Sequence, residues 1–365
     1  MQGESDETTI VHVSVPATCT GFSTLGAVGM ALDVRDVFTI QTTPSPGVSV
    51  VVSDRSGGQA SAVPRDGRNL VVQALHAVQD AIGDVRTGLR VTCENAIPQR
   101  CGYGSSASAI VAGAAAAVAL SQRVEPSRDL ICDIASQMAG DGANAAAAVY
   151  GGVATAWDFD LDSSVPRSVF DTESRRRPDN GFDFDSTRRT APRPAPPPLS
   201  NYGEGWHAAA APVSSSLTAS LITPRRVSSH VPLPDEDTVP LRQARQAARR
   251  LSALFRLLSD SAPASDGDLF AATAEDAQLA SRNELLPDSW QLMTHLRSQG
   301  LAAFITGSGP AIVVLSGQGA EKTDTVVRQA IRSEWLATGR WSLRTVGGDK
   351  RGVDIDRSSR AARGQ

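Results

Sequence analysis

Ile97-Pro-Gln-Arg-Cys-Gly-Tyr-Gly-Ser-Ser-Ala-Ser-Ala109 joins a glycine-rich turn to two adjacent hydroxyls and an apolar run. That combination suits phosphate. Ahead of it, Gly88-Leu-Arg-Val-Thr-Cys-Glu94 alternates as a strand does. Behind it, Ser108 to Leu120 is almost wholly Ala, Val, Ile, Gly and Leu, the composition of a buried helix. A glycine turn feeding a helix start leaves unpaired N–H groups at the first helical turn, and the helix dipole adds partial positive charge there. Gly102 and Gly104 carry no side chain that would hold an anion off. The spacing predicts a loop for nucleotide phosphates, built from Pro98, Gly102, Tyr103, Gly104, Ser105, Ser106 and Ala107. An ordinary helix capped by Ser105 is the alternative. No Gly-Lys-Ser/Thr follows as in a P-loop, and no third glycine falls at the spacing of a dinucleotide fingerprint.

The remaining reactive side chains narrow the chemistry. Cys19, Cys93, Cys101 and Cys132 show no metal spacing and read as reduced thiols, and the five histidines form no metal pair. Cys101 sits inside the loop with no base beside it in sequence and reads as a small loop residue. Lys322 and Lys350 are the only lysines, so triphosphate charge must be met by backbone N–H groups, a metal ion and arginine. Net charge is −4, which points to neither nucleic acid nor an acidic membrane surface. No run is long enough to span a bilayer, and the acidic N-terminus is unlike a signal peptide, so a cytoplasmic protein is expected.

The elements that must hold this loop follow from periodicity. Residues 1–8 read as a flexible tail, and Thr9 to Asp158 as an N-terminal nucleotide-binding domain of alternating strands and helices. Its helices are expected over Asn69–Ile82, after Ser106, over Pro126–Met138 and over Asn144–Tyr150, with a strand at Gly151–Trp157. Residues 159–205 are charged and proline-rich, with Pro192-Arg-Pro-Ala-Pro-Pro-Pro198, and read as a disordered insertion. A C-terminal domain then runs over 206–348. It holds strand material at Ala208–Thr223 and helices at Leu241–Leu258, Asp268–Ser281, Ser289–Gly300 and Asp324–Trp335. A hairpin of Ala302–Thr306 and Ala311–Leu315 surrounds a glycine turn, and Trp341–Val346 is a last strand. Residues 349–365 read as a second tail.

Several segments recur in a familiar order. They are Val13-Ser-Val-Pro-Ala-Thr18 with Gly21-Phe-Ser-Thr-Leu-Gly26, Asn69-Leu-Val71, and the loop itself. Gly140-Asp-Gly-Ala-Asn144 with Gly151-Gly-Val153 and Ile305-Thr-Gly-Ser-Gly-Pro310 complete the set. The chain resembles the GHMP kinase superfamily, most of all the homoserine kinases, whose loop reads Pro-x-x-x-Gly-Leu-Gly-Ser-Ser-Ala. Tyr103 replaces the Leu. The resemblance implies an α+β fold of two domains, the first like ribosomal protein S5 domain 2 and the second ferredoxin-like, with the site between them. It implies ATP-dependent phosphorylation of a hydroxyl on a small metabolite, a homoserine-like hydroxy amino acid or hydroxy acid, and a homodimer.

Residue by residue, the resemblance puts Asn69, Thr306, Gly307, Ser308 and Gly309 with the nucleotide. It makes Ser106 a ligand of Mg²⁺; Asp141, which stands where the family has His, is read as supplying the metal-binding carboxylate that Ala139 lacks. Asn144, Ser229 and Arg282 meet the acceptor, and Ser106, Asp141, Asn144 and Arg282 carry catalysis. Ala139 and Ala143 stand where the family has a metal-binding Glu and an acceptor-binding Asp. Those two alanines keep open a second outcome, a degenerate homologue that binds nucleotide or metabolite without turnover.

Overall fold

The computed structural model describes residues 7–23, 26–56, 63–124, 127–158, 205–227, 240–259, 264–274 and 281–361. The proline-rich stretch up to 204 and Ser229 lie outside the described residues.

Two sheets organise the chain. In the first, β1 (Glu7–Ser23) and β2 (Gly26–Thr43) form a long antiparallel hairpin. The inward residues Val11, Val13 and Val15 alternate with exposed or half-buried neighbours, as strand geometry requires. β3 (Val48–Asp54) runs parallel to β4 (Gly88–Asn95), and β4 pairs antiparallel with β2. β5 (Val153–Trp157) joins β2 at Gly29 and Met30 and pairs with β6 (His207–Ala211). Against this sheet pack α1 (Leu70–Ile82), α2 (Ser105–Leu120), α3 (Arg128–Ala139) and α4 (Gly142–Tyr150). Alanine dominates α2 because the helix is enclosed from Ala107 to Ala119, Ala109 alone being half-buried, which leaves no room for larger side chains.

The second sheet holds β7 (Thr218–Pro224), β8 (Ala302–Ile305), β9 (Ile312–Ser316) and β10 (Trp341–Gly347) in the order β10-β7-β9-β8. Every neighbouring pair is antiparallel, the ferredoxin-like arrangement. Its helices are α5 (Leu241–Ser259), α6 (Asp266–Ala272), α7 (Ser281–Leu285), α8 (Pro287–Ser298) and α9 (Ala320–Ile331). α9 runs on into a π-helical turn, Arg332–Leu336. The two halves share a core: Ala17, Met30 and Leu32 of the hairpin pack in one cluster with Tyr103, Leu221, Phe304 and Leu315.

The α+β fold is as expected, but several boundaries need correction. The expected C-terminal tail contains β11 (Asp354–Ala361), paired with β1 from Ser14↔Asp354 to Glu7↔Ala361. That pairing also draws Glu7 and Thr8 of the expected N-terminal tail into the sheet. The first domain therefore takes its last strand from the chain's end and β6 from beyond the insertion. Asp349 fastens this return: its carboxylate pairs with Arg35 of β2 and accepts the N–H groups of Arg351 and Gly352. The third helix starts at Arg128, two residues after Pro126, and the fourth at Gly142 rather than Asn144. The material expected as one strand over 208–223 is two, β6 and β7.

Candidate phosphate-binding site

The chain leaves β4 at Asn95 and turns through Ala96–Gly104 before α2 begins. Ile97, Cys101 and Tyr103 are buried and anchor the turn, while Gly102, Gly104, Ser105 and Ser106 remain half-buried at its outer side. Gly104 is the N-cap of α2 with φ 71°, and no side chain caps the helix. The Ser105 cap is thus corrected. The turn demands a left-handed residue at the cap, which glycine adopts freely and serine does not. Ser105 is instead the first helical residue. Among the described residues no acceptor takes the N–H of Ser105, Ser106 or Ala107, which leaves the donor set that an anion requires.

Three parts of the fold hold the loop in place. From β1, Thr18 N donates to Tyr103 O at 3.0 Å. From the β8–β9 turn, the Thr306 hydroxyl donates to Gly102 O at 2.9 Å and accepts from Thr20 N at 3.2 Å. Ala311 N adds a bond to Cys101 O. From β7, Thr223 Oγ1 meets the Tyr103 hydroxyl at 3.0 Å. Thr306, Gly307 and Gly309 are buried and brace the loop from behind, while Ser308 and Pro310 of that turn are half-buried. Tyr103 likewise offers the loop its backbone, because its ring is 1% exposed and packed toward the second sheet.

Removing that phenol should therefore be a stability effect. Tyr103→Phe is expected to cost about 1 kcal/mol, the worth of one buried hydrogen bond. A melting curve should show a drop of about 1 °C, with nucleotide binding kept. Loss of nucleotide binding without loss of stability would contradict this placement.

A second helix start converges on the first. Asp141 is the N-cap of α4: Oδ1 accepts from Asn144 N at 3.2 Å, and Oδ2 accepts from Asn144 Nδ2. Asn144 Oδ1 in turn accepts the Thr18 hydroxyl at 2.6 Å. A Cβ placed on Gly104 would lie 2.1 Å from Thr18 Oγ1 and 3.5 Å from Asn144 Oδ1. The N-termini of α2 and α4 thus meet beside Gly104, two positive dipole ends where no lysine is available. Thr18 escaped the sequence reading, since its partner lies far along the chain.

Other expected site residues fall differently. Asn69 is 2% exposed; its Oδ1 caps α1 through Val71 N and its Nδ2 donates to Pro64 O, so its amide shapes the loop before α1. Ala143 is buried and Ala139 half-buried; neither carries a donor. Arg282 lies in α7, its side chain outside the described residues, as is all of Ser229. Cys101 is 3% exposed, and burial pushes its thiol up to about 12, which removes it as a nucleophile. Arg100 is the one described non-glycine residue with positive φ, 59°, a strained position at the entry to the loop that no sequence pattern announces. Among the described residues no three His, Cys, Asp or Glu side chains gather to hold a metal ion, and no helix is long and apolar enough to cross a membrane.

An uncapped helix start on a glycine turn, braced by a ferredoxin-like half, has the donor set of a phosphate-binding loop. The model of the GHMP kinases N terminal domain matches residues 69–152. A homoserine kinase of Corynebacterium urealyticum is 30% identical over 320 residues, covering 86% of this chain and 88% of its own. One from Corynebacterium kroppenstedtii is 32% identical over 330 residues, with 88% and 91% covered. Among solved structures, a homoserine kinase from Cytophaga hutchinsonii superposes with TM-score 0.66 at 17% identity, covering 98% of this chain and 99% of that one. A mevalonate kinase superposes with TM-score 0.54 at 12% identity, covering 93% and 99%. The chain belongs to the homoserine kinase family of the GHMP kinases. It is a small-molecule kinase that uses ATP.

Proposed function

We propose that this enzyme phosphorylates the side-chain hydroxyl of homoserine, or of a closely similar hydroxy amino acid or hydroxy acid. The names of its relatives support the acceptor. One observation supports the phosphate chemistry above the rest: the first turn of α2 is left uncapped at Gly104. The non-catalytic alternative draws no support from the relatives, which carry the name of a kinase.

Phosphoryl transfer asks a protein for alignment, charge compensation and exclusion of water rather than covalent help. In this chain the N–H groups of Ser105, Ser106 and Ala107 receive phosphate oxygens. Asn144 is held by Thr18 on one side and Asp141 on the other, and we assign it to the acceptor; Arg282 and Ser229 are assigned to the acceptor by family resemblance alone. Asp141 already bonds Asn144 through both oxygens, which suits an anchor better than a base. The acceptor proton then leaves to a γ-phosphate oxygen or to water.

The Ser106 hydroxyl and Asp141 carboxylate are donors of the kind Mg²⁺ accepts when water and phosphate oxygens complete its shell. They fit an ion carried in on the nucleotide, and Ala139 and Ala143 add nothing to it. Bound there, Mg²⁺ would offset charge on the β- and γ-phosphates. All four cysteines are free and buried, in keeping with a reducing compartment, and we assign the enzyme to the cytoplasm.

The test is direct. With Mg-ATP at 100 times its Kd, the folded chain should gain about 2.7 kcal/mol, read as a rise of several degrees in melting temperature. ADP release should follow on adding homoserine. Release with a hydroxy acid alone would reassign the acceptor, and no melting shift with any nucleotide would end the kinase assignment.

A further inference from the structure

Asp36 lies on β2 behind the phosphate loop and is 1% exposed. Its Oδ1 accepts the N–H groups of Ala96 at 2.7 Å and Ile97 at 2.8 Å, where the chain leaves β4 for the loop. Its Oδ2 accepts the Ser108 hydroxyl at 3.3 Å, in the first turn of α2. One carboxylate therefore ties the entry of the loop to its exit. The chemistry described above makes no use of it. Burying a carboxylate without a cation is costly, and a neutral amide oxygen would satisfy the same N–H groups at less cost.

We propose that Asp36 is a positioning residue for phosphoryl transfer: it sets the spacing between the two ends of the phosphate loop and takes up a proton when polyphosphate binds there. This rests on the phosphate-binding function proposed above. The proton comes from solvent and forms an O–H on the Asp36 carboxylate; no other bond changes.

Burial is the largest influence on this carboxyl and pushes it up to about 7, against the bonds from Ile97, Ala96 and Ser108 that pull it down. Its charge is therefore balanced near neutrality. Negative charge brought to the outer side of the loop disfavours the ionised form further. By linkage, the same coupling makes nucleotide bind more tightly to the protonated protein. The sign for folding is consistent. The folded chain keeps a proton that the unfolded chain releases at 3.8, so this group's contribution to stability falls as pH rises from 3.8 to about 7.

The surrounding groups leave Asp36 as the titrating one. Cys93 on β4 has its thiol pushed up to about 12 and stays neutral. Asp54 at the end of β3 adds to the upward push, and Glu94 is paired with Arg55. Arg35, its neighbour on β2, is committed to Ser14 and Asp349. α2 carries no charged residue.

Calorimetric titration of the full chain with Mg-ADP at pH 7.5, in buffers of different ionisation enthalpy, measures the proton directly. Wild type is expected to take up on the order of half a proton more than Asp36→Asn. Equal uptake in the two overturns the proposal. Should Asp36→Asn fail to fold, Ser108→Ala removes one donor to the carboxylate. The midpoint of ADP affinity against pH should then rise by about half a unit, and an unmoved midpoint overturns the proposal as well. No binding heat in wild type would overturn the phosphate-loop function itself, whereas binding with equal uptake overturns only the part assigned to Asp36.

Discussion

Gly102→Ala is expected to cripple both stability and turnover. Gly102 has φ 83°, a conformation that costs an alanine about 1–2 kcal/mol. Its Cβ would also stand 2.1 Å from the Thr306 carbonyl oxygen and 3.1 Å from Gly309 N, both backbone atoms. No side-chain rotation relieves such an overlap, so the loop or the β8–β9 turn must move. The combined cost should reach about 3 kcal/mol, which lowers the melting temperature by roughly 4 °C in a chain of this size. Turnover should fall on the order of 100-fold, because displacement of the loop by about 1 Å misaligns the donor phosphate. Gly339→Ala separates the two causes: its φ is 68° and its Cβ would meet nothing within 4 Å. That variant should lose only the conformational part and keep its activity. If Gly102→Ala melted no lower than Gly339→Ala, the close approach to Thr306 would be wrong.

The same contrast explains what the amino-acid sequence discloses and what it hides. The glycine turn, the apolar helix after it and the hairpin around Thr306–Pro310 are legible because each is encoded locally. Left-handed glycines and β-branched runs depend on immediate neighbours. Helix starts are less transparent. Ser105 has the better capping side chain, yet the cap falls on Gly104 because the approach of Thr306 and Thr18 dictates the turn. Asp141 reads as a metal ligand and a catalytic residue; a carboxylate ahead of a helix looks the same whether it holds an ion, caps the backbone or does both. The structure shows the second role through Asn144 N.

Long-range partners were out of reach. Asp354–Ala361 is polar along much of its length and reads as a frayed end, yet β11 pairs residue for residue with β1 at the opposite end of the chain. Its order comes from hydrogen bonds to a distant strand rather than from its own propensity. Thr18 and Asp36 share this character. Each is an unremarkable polar residue in sequence, and each acquires its role from a partner that only the folded topology brings within about 3 Å. Tyr103 is the intermediate case. Its place in the loop is legible, but the reach of its phenol to Thr223 depends on how the two sheets pack.

Ser106→Ala should separate chemistry from folding more cleanly than any other change in the loop. Ser106 is half-buried, lies in the first turn of α2, and its hydroxyl has no hydrogen-bond partner among the described residues. Removing it leaves no donor or acceptor stranded, and alanine favours the helix at least as well, so the melting temperature should stay within about 1 °C. Turnover is another matter. A hydroxyl positioned where charge builds up during transfer contributes through the transition state, and losing one such group typically lowers kcat by about 100- to 1000-fold. The helix N–H groups remain, so the nucleotide should still raise the melting temperature of the variant. The diagnostic result is therefore a split: nucleotide binding retained, ADP release nearly lost. Full turnover in Ser106→Ala would remove the hydroxyl from the reaction and leave the backbone of the loop as the sole phosphate contact. Loss of folding would instead mean that the hydroxyl holds the first turn of α2 together, contrary to the glycine cap at Gly104.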